Sequence, residues 1–185
     1  MKEKFEYFLN AVHYCIYLEE CWSQRKVNKF FKKLLSPIPK YLFTDSYREK
    51  YYKRLENQQK ELDDYFFSKE AGQSIGLAHH FFGYFSSSYC LSFSFTFCGL
   101  YKFFTGEFAH GITTAILMGF PIAIGYIPIY KAVYKDDRYL NFYKKYEKED
   151  KVWRRKWKWI TVAYCVGGII VAVLGFFTMA YLTGL

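Results

Sequence analysis

The chain of 185 residues has no Cys-x-x-Cys pair, no glycine-rich nucleotide loop, no serine-nucleophile motif and no kinase signature set. Its five cysteines stand at 15, 21, 90, 98 and 165, an odd number without regular spacing, so a disulfide framework is not expected. His13, Cys15 and Cys21 match no zinc spacing and lack a fourth ligand. His79 and His80 stand at one end of a long apolar segment and His110 at the opposite end of that segment's hairpin. A hydrocarbon core of ~30 Å between them excludes a shared haem or metal ion. No paired carboxylates lie inside any apolar segment, which argues against ion-coupled transport. Glu107 and His110, three residues apart, read as interfacial polar groups. Together these absences predict a non-enzymatic protein without cofactor or metal. No Gly/Ser linker, low-complexity tract or internal repeat divides the chain, so one compact helical unit is expected.

Charge is missing from Ala71 to Tyr101 apart from two histidines. Three segments of this chain have the ~20 mainly apolar residues that a helix needs to cross a bilayer. They are 79–102, 109–130 (AHGITTAILMGFPIAIGYIPIY) and about 160–183, beginning ITVAYCVGGIIVAVLGFFTMAY. Within the first, SSSYCLSFSFTFC nearly alternates, which is a strand signal. A strand in lipid needs a closed barrel, and an outer-membrane barrel needs a secretory leader. The N-terminal stretch MKEKFEYFLNAVHYCIYLEE mixes acids into its apolar positions and resembles no leader. All three segments therefore read as helices, giving an all-α integral membrane protein with three transmembrane helices, the first two an antiparallel hairpin.

On such a helix Ser88, Ser92 and Thr96 form one small polar stripe, and Gly111, Ala115, Gly119 and Ala123 form a small-residue stripe on the next. The turn between them is short. Placing Phe104 opposite Glu107 pairs Thr96 with Ala115, Ser92 with Gly119 and Ser88 with Ala123, which predicts a continuous packing seam. Interhelical hydrogen bonds in membranes average only ~0.6 kcal/mol, so such a seam would set geometry more than stability. Pro121 and Pro128 deprive the carbonyls of Leu117 and Ile124 of their amide partners, and Ser94 and Ser87 lie at matching depths. In the third segment Gly168, Ala172 and Gly175 could pack on the hairpin or on another subunit.

The formal net charge of +9 is unevenly placed. Residues 131–159 hold 11 Lys+Arg against 5 Asp+Glu, and residues 1–78 hold 14 against 11. By the positive-inside rule both regions are cytoplasmic, while the hairpin turn and the C-terminus lie outside. At the start of the third span VWRRKWKWI sets Trp153 and Trp157 one turn apart among Arg154, Arg155, Lys156 and Lys158, a pattern expected to contact anionic lipid headgroups. Nucleic acid is not an expected partner, because the cluster abuts a span.

Residues 1–78 read as amphipathic cytoplasmic or interfacial helices. Val27, Phe30, Phe31, Leu34 and Leu35 make an apolar arc of about 140° opposite Arg25, Lys26, Lys29, Lys32 and Lys33, an interfacial pattern. SPIP at 36–39 should stop this helix. Upstream, Phe5, Phe8, Leu9, Val12 and Ile16 share a face that Glu6, Asn10 and His13 interrupt. Downstream, Ser46 with Glu49 fits a capping box, with ion pairs Glu49–Lys53 and Glu56–Lys60 and a buried stripe of Tyr51, Leu55, Leu62 and Phe66. The expected organisation is N-terminal helices over 1–78, a transmembrane hairpin over 79–130, a basic and mainly helical loop over 131–159, and a third span over 160–185. The expected role is an anchor, scaffold or accessory subunit of an inner-membrane assembly, working through its basic aromatic cytoplasmic face on the bilayer and on a protein partner. The alternative is a self-associating, toxin- or holin-like membrane effector or pore.

Overall fold

Long apolar runs bounded by Gly-rich turns fold here as helices throughout. The computed structural model describes residues 2–35, 50–51, 53–54, 58, 61–63 and 65–184, and no strand occurs among them. Helix α1 spans Lys2–Leu35, α2 Gln73–Thr105 and α3 Ile112–Ile129; a π turn Tyr130–Tyr134 and a 3-10 turn Lys135–Asp137 lead to α4 Arg138–Tyr146 and then to α5 Lys151–Thr183. The alternating SSSYCLSFSFTFC stretch lies inside α2 and is helical. The SPIP stop, the Ser46–Glu49 capping box and the Glu49–Lys53 and Glu56–Lys60 pairs fall outside the described residues.

Local chemistry accounts for the boundaries. The side chain of Asp150 caps α5 by accepting from the backbone N–H of Trp153 at 2.7 Å, and Gly184 ends the helix at φ 74°. Between α2 and α3 the Lys102 ammonium donates to the Gly106 carbonyl at 2.6 Å and sits 4.5 Å from the centroid of the Phe108 ring. Gly106, at φ 76°, supplies the left-handed residue that this turn requires. The turn runs from Gly106 to Gly111, so α3 begins three residues later than the sequence suggests. After α3 the chain swings into α4 through Asp136 and Asp137, both left-handed at φ 56° and 49°.

The chain divides into two compact units, one containing Met1–Cys15 with His80–Leu185, the other Ile16–His79. In the first, α2 packs closely on both α3 and α5. A Cβ at Gly175 would stand 2.6 Å from Ser92 Cα, one at Gly168 2.9 Å from the Phe85 carbonyl oxygen, and one at Gly99 2.9 Å from Met179 Cα. These glycines let the α2 and α5 backbones touch, so the Gly168 and Gly175 stripe serves packing within the subunit. Ser86 and Tyr164 share a hydroxyl hydrogen bond at 2.8 Å, and Tyr89 Oη donates to the Tyr164 carbonyl at 2.6 Å. On its other side α2 meets α3, where Ser94 Oγ donates to the Met118 carbonyl at 2.8 Å and Cys90 fills the space beside Gly125.

In the second unit Tyr17 Oη donates to the Phe67 carbonyl at 3.0 Å, and the Arg25 guanidinium lies 5.0 Å from the centroid of the Phe67 ring. Gly72 closes a turn onto Ser68, its amide donating to the Ser68 carbonyl at 3.0 Å. Burial pushes the Glu20 carboxyl above the ordinary carboxylate range. Leu62, expected on a buried stripe, is exposed.

Two helical stretches, Ile112–Tyr146 and Lys151–Thr183, are long and apolar enough to cross a membrane, where the sequence suggested three. The difference lies in α2, whose serines, tyrosines and histidines dilute its phenylalanines. In the most apolar parts of the two stretches only 6% and 17% of residues are buried, whereas a core helix of a water-soluble protein is mostly covered. Ile112, Ile116, Phe120, Ile124, Ile169 and Phe177 are among the exposed side chains.

The glycine contacts make a paired prediction. Gly175→Val forces α2 and α5 apart and should cost about 1–3 kcal/mol, read as a lower Tm of the detergent-solubilised protein. Gly119→Val, where a Cβ meets nothing within 4 Å, should stay within about 0.5 kcal/mol of the parent.

Candidate functional site

Among the described residues, polar and aromatic side chains cluster where the first turns of α1 meet α4 and the start of α5. Tyr7, Asn10 and Tyr14 recur at helical spacing on α1, with His13 beside them. Tyr139, Tyr143 and Tyr146 do the same on α4, and both sets turn inward. The segment Leu9–Cys15 is buried all round. Asn10 and His13, which interrupt the apolar face in the sequence, are 0% exposed and belong to the core.

His13 sits in a cage of rings. The centroids of Phe82, Tyr139, Tyr143 and Tyr134 lie 5.2, 5.7, 5.7 and 6.0 Å from its own. Its Nδ1 shares a hydrogen bond with Tyr143 Oη at 3.0 Å. Asn10 Nδ2 donates to the carbonyls of Glu6 at 2.8 Å and Ala132 at 2.9 Å, tying α1 to the π turn where the regular helical ladder is broken. Tyr146 Oη donates to the Tyr7 carbonyl at 3.0 Å, and Trp153 Nε1 donates to Tyr7 Oη at 2.9 Å. Trp153 stacks on Tyr146 with centroids 4.9 Å apart, and Trp157 packs against Tyr7 and Phe8 at 5.6 and 5.9 Å. At the rim Arg138 pairs with Glu6 at 3.3 Å.

This arrangement joins helices. The His13 ring is closed off from solvent, and the Tyr143 hydroxyl beside it is engaged with its Nδ1. Beside it an open groove of about 400 Å³ is lined by the exposed Glu3, Lys4 and Lys145 with the half-buried Glu6, Tyr7 and Phe142. No three His, Cys, Asp or Glu side chains among the described residues are grouped to hold a metal ion, and none of the five cysteines forms a disulfide.

The residues expected to contact headgroups divide into two sets. Trp153 and Trp157 are half-buried in the nest and face the protein, because their indoles find Tyr7, Phe8 and Tyr146 as partners. Arg154, Arg155, Lys156 and Lys158 are exposed, and the outward indole of this cluster is Trp159, at 68% exposure.

The expected seam is not assembled. Gly111, Ala115, Gly119 and Ala123 are exposed, and nothing stands within 4 Å of a Cβ at Gly111 or Gly119. Ser88 and Thr96 return their hydroxyls to carbonyls of their own helix, Tyr84 and Ser92, both at 2.9 Å, and Ser92 faces Gly175 of α5. The residues that join α2 to α3 are Ser94 with Met118 and Cys90 with Gly125. Ser94 thus reaches the carbonyl next to that of Leu117, the one that Pro121 leaves without an amide.

Tyr143→Phe removes the partner of His13 Nδ1 and should lower stability by about 1 kcal/mol. His13→Ala also opens a cavity inside the ring cage and should cost about 3 kcal/mol or more. Thermal unfolding followed by tryptophan emission, to which the half-buried Trp153 and Trp157 of the nest contribute beside Trp22 and Trp159, distinguishes the two. Protein families, curated proteins and solved structures were all compared with this chain, and none matches it significantly.

Proposed function

We propose that this chain is a small, non-enzymatic integral membrane protein that serves as an anchor, scaffold or accessory subunit of an inner-membrane assembly. The observation that carries the reading is a division of labour. The side chains an enzyme would use are spent on holding helices together, while the apolar flanks of α3 and α5 are left uncovered. Such flanks need an apolar phase, and a bilayer supplies one at the length that these helices have.

Packing supports α2 as a third crossing despite its composition. It touches α3 through Ser94 and Cys90 and α5 through Phe85 and Ser92, so two inserted neighbours would draw it to the same depth with several hydroxyls already partnered. Three crossings with the basic 131–159 segment inside put the N-terminus in the cytoplasm and the C-terminus outside. The exposed cations Arg154, Arg155 and Lys156 then meet anionic headgroups or an unlike protein partner at the cytoplasmic face.

A second reading, self-association, is favoured by one observation: the exposed small-residue stripe of α3, which would let another copy approach closely.

Affinity purification of the tagged full chain from mild detergent, with the mass of the complex determined, tests both. The scaffold reading expects an unlike partner in fixed stoichiometry, with recovery falling several-fold in an Arg154→Gln, Arg155→Gln, Lys156→Gln variant of unchanged Tm. Recovery unaffected by that variant contradicts it. A partner-free oligomer that Gly119→Leu dissociates without lowering Tm establishes self-association instead.

A further inference from the structure

From Trp22 onward α1 changes character. Every described side chain from Trp22 to Leu34 is exposed except Gln24, which is half-buried. Four of the exposed ones are large and apolar and lie on one side: Phe30 at 63%, Leu34 at 57%, Phe31 at 51% and Val27 at 45%. At 100° per residue these positions, with Leu35, occupy an arc of about 140°. Positions 25, 26, 29, 32 and 33, all Arg or Lys, occupy about 120° on the other side, and no acidic residue occurs between Cys21 and Leu35.

We propose that residues 22–35 form an arm that lies along the surface of an anionic bilayer, with Val27, Phe30, Phe31 and Leu34 at the level of the acyl boundary and the cations among lipid phosphates. The inference rests on the reading of the chain as a membrane protein. Charge selects this occupant. A helix face that is merely solvated mixes both signs, whereas here five cations stand together without one carboxylate, backing an arc of aromatic and branched side chains. An anionic bilayer satisfies both halves of the helix at once: its acyl boundary takes the apolar arc, and each cation near its surface adds a favourable increment. The Lys26 ammonium, 3.6 Å from the Trp22 ring centroid, holds an indole within the cationic side, among the groups that would meet the phosphates.

The test uses the full chain in nanodiscs of phosphatidylcholine alone and with about one-third phosphatidylglycerol, followed by hydrogen–deuterium exchange of peptides covering 22–35. The arm predicts exchange slowed about fivefold or more by phosphatidylglycerol, with the slowing lost in Phe30→Glu, Leu34→Glu and weakened by high salt or by Lys29→Glu, Lys33→Glu. All four substituted side chains are exposed, and unchanged exchange in α5 verifies that each variant folds. Equal exchange in the two lipid compositions overturns the proposal. So does protection already present in detergent, which would mean that protein covers the face. If α3 and α5 are protected while the arm is not, the arm alone fails; if α3 and α5 exchange freely, the membrane reading fails with it.

Discussion

The approach of α2 to α5 is the constraint on which the rest of the first unit depends. Gly168 and Gly175 remove the side chains that would otherwise hold the two backbones apart, and Gly99 does the same from the α2 side. Once the backbones touch, Tyr89 reaches the Tyr164 carbonyl and Ser86 reaches the Tyr164 hydroxyl. Tyr164 is thereby held where its ring packs on Phe8 and Phe82, 5.9 and 6.3 Å between centroids, carrying the contact from the paired helices to α1.

The tyrosine-rich nest extends that chain of contacts. Rings supply area with few rotatable bonds, and phenols supply hydrogen bonds where a purely apolar core would supply none. Tyr7 shows the economy of the arrangement: its ring packs on Tyr146 and Trp157, its hydroxyl accepts from Trp153, and its carbonyl accepts from Tyr146. Further along α1 the described side chains from Trp22 to Leu34 are exposed apart from Gln24, with apolar positions on one side of the helix and cationic positions on the other.

How much of this is legible in the sequence depends on whether a residue type has one use or several. The unalternating apolar runs of α3 and α5 have one use, and the nearly alternating run in α2 reads as helix because lipid leaves an open sheet edge unsatisfied, so the helical class and the α2–α3 hairpin follow. Turn length sets depth, which is why Ser94 lies within one residue of its expected level opposite Leu117. The rotational face does not follow, because hydroxyls at 86, 87, 88, 92, 94 and 96 surround α2 and no single stripe stands out. Gly168 and Gly175 have two possible partners by pattern, and only the folded chain chooses α2. Tryptophan suits a headgroup layer and a protein interior equally, so Trp153 and Trp157 read as lipid anchors although Tyr146 and Tyr7 hold them. Asn10 and His13 read as interruptions because their partners, Ala132 and Tyr143, are more than a hundred residues away.

The central claim is that α2, α3 and α5 cross a bilayer together, putting the α2–α3 turn and the basic segment before α5 on opposite sides. Maleimide labelling of Glu107→Cys and Lys148→Cys, in a chain whose native cysteines are replaced and in sealed vesicles of known orientation, tests it directly. The account predicts that the Glu107→Cys variant labels only from the outer side and the Lys148→Cys variant only from the cytoplasmic side. Labelling of both from one side, or recovery of the chain in the soluble fraction, would contradict it.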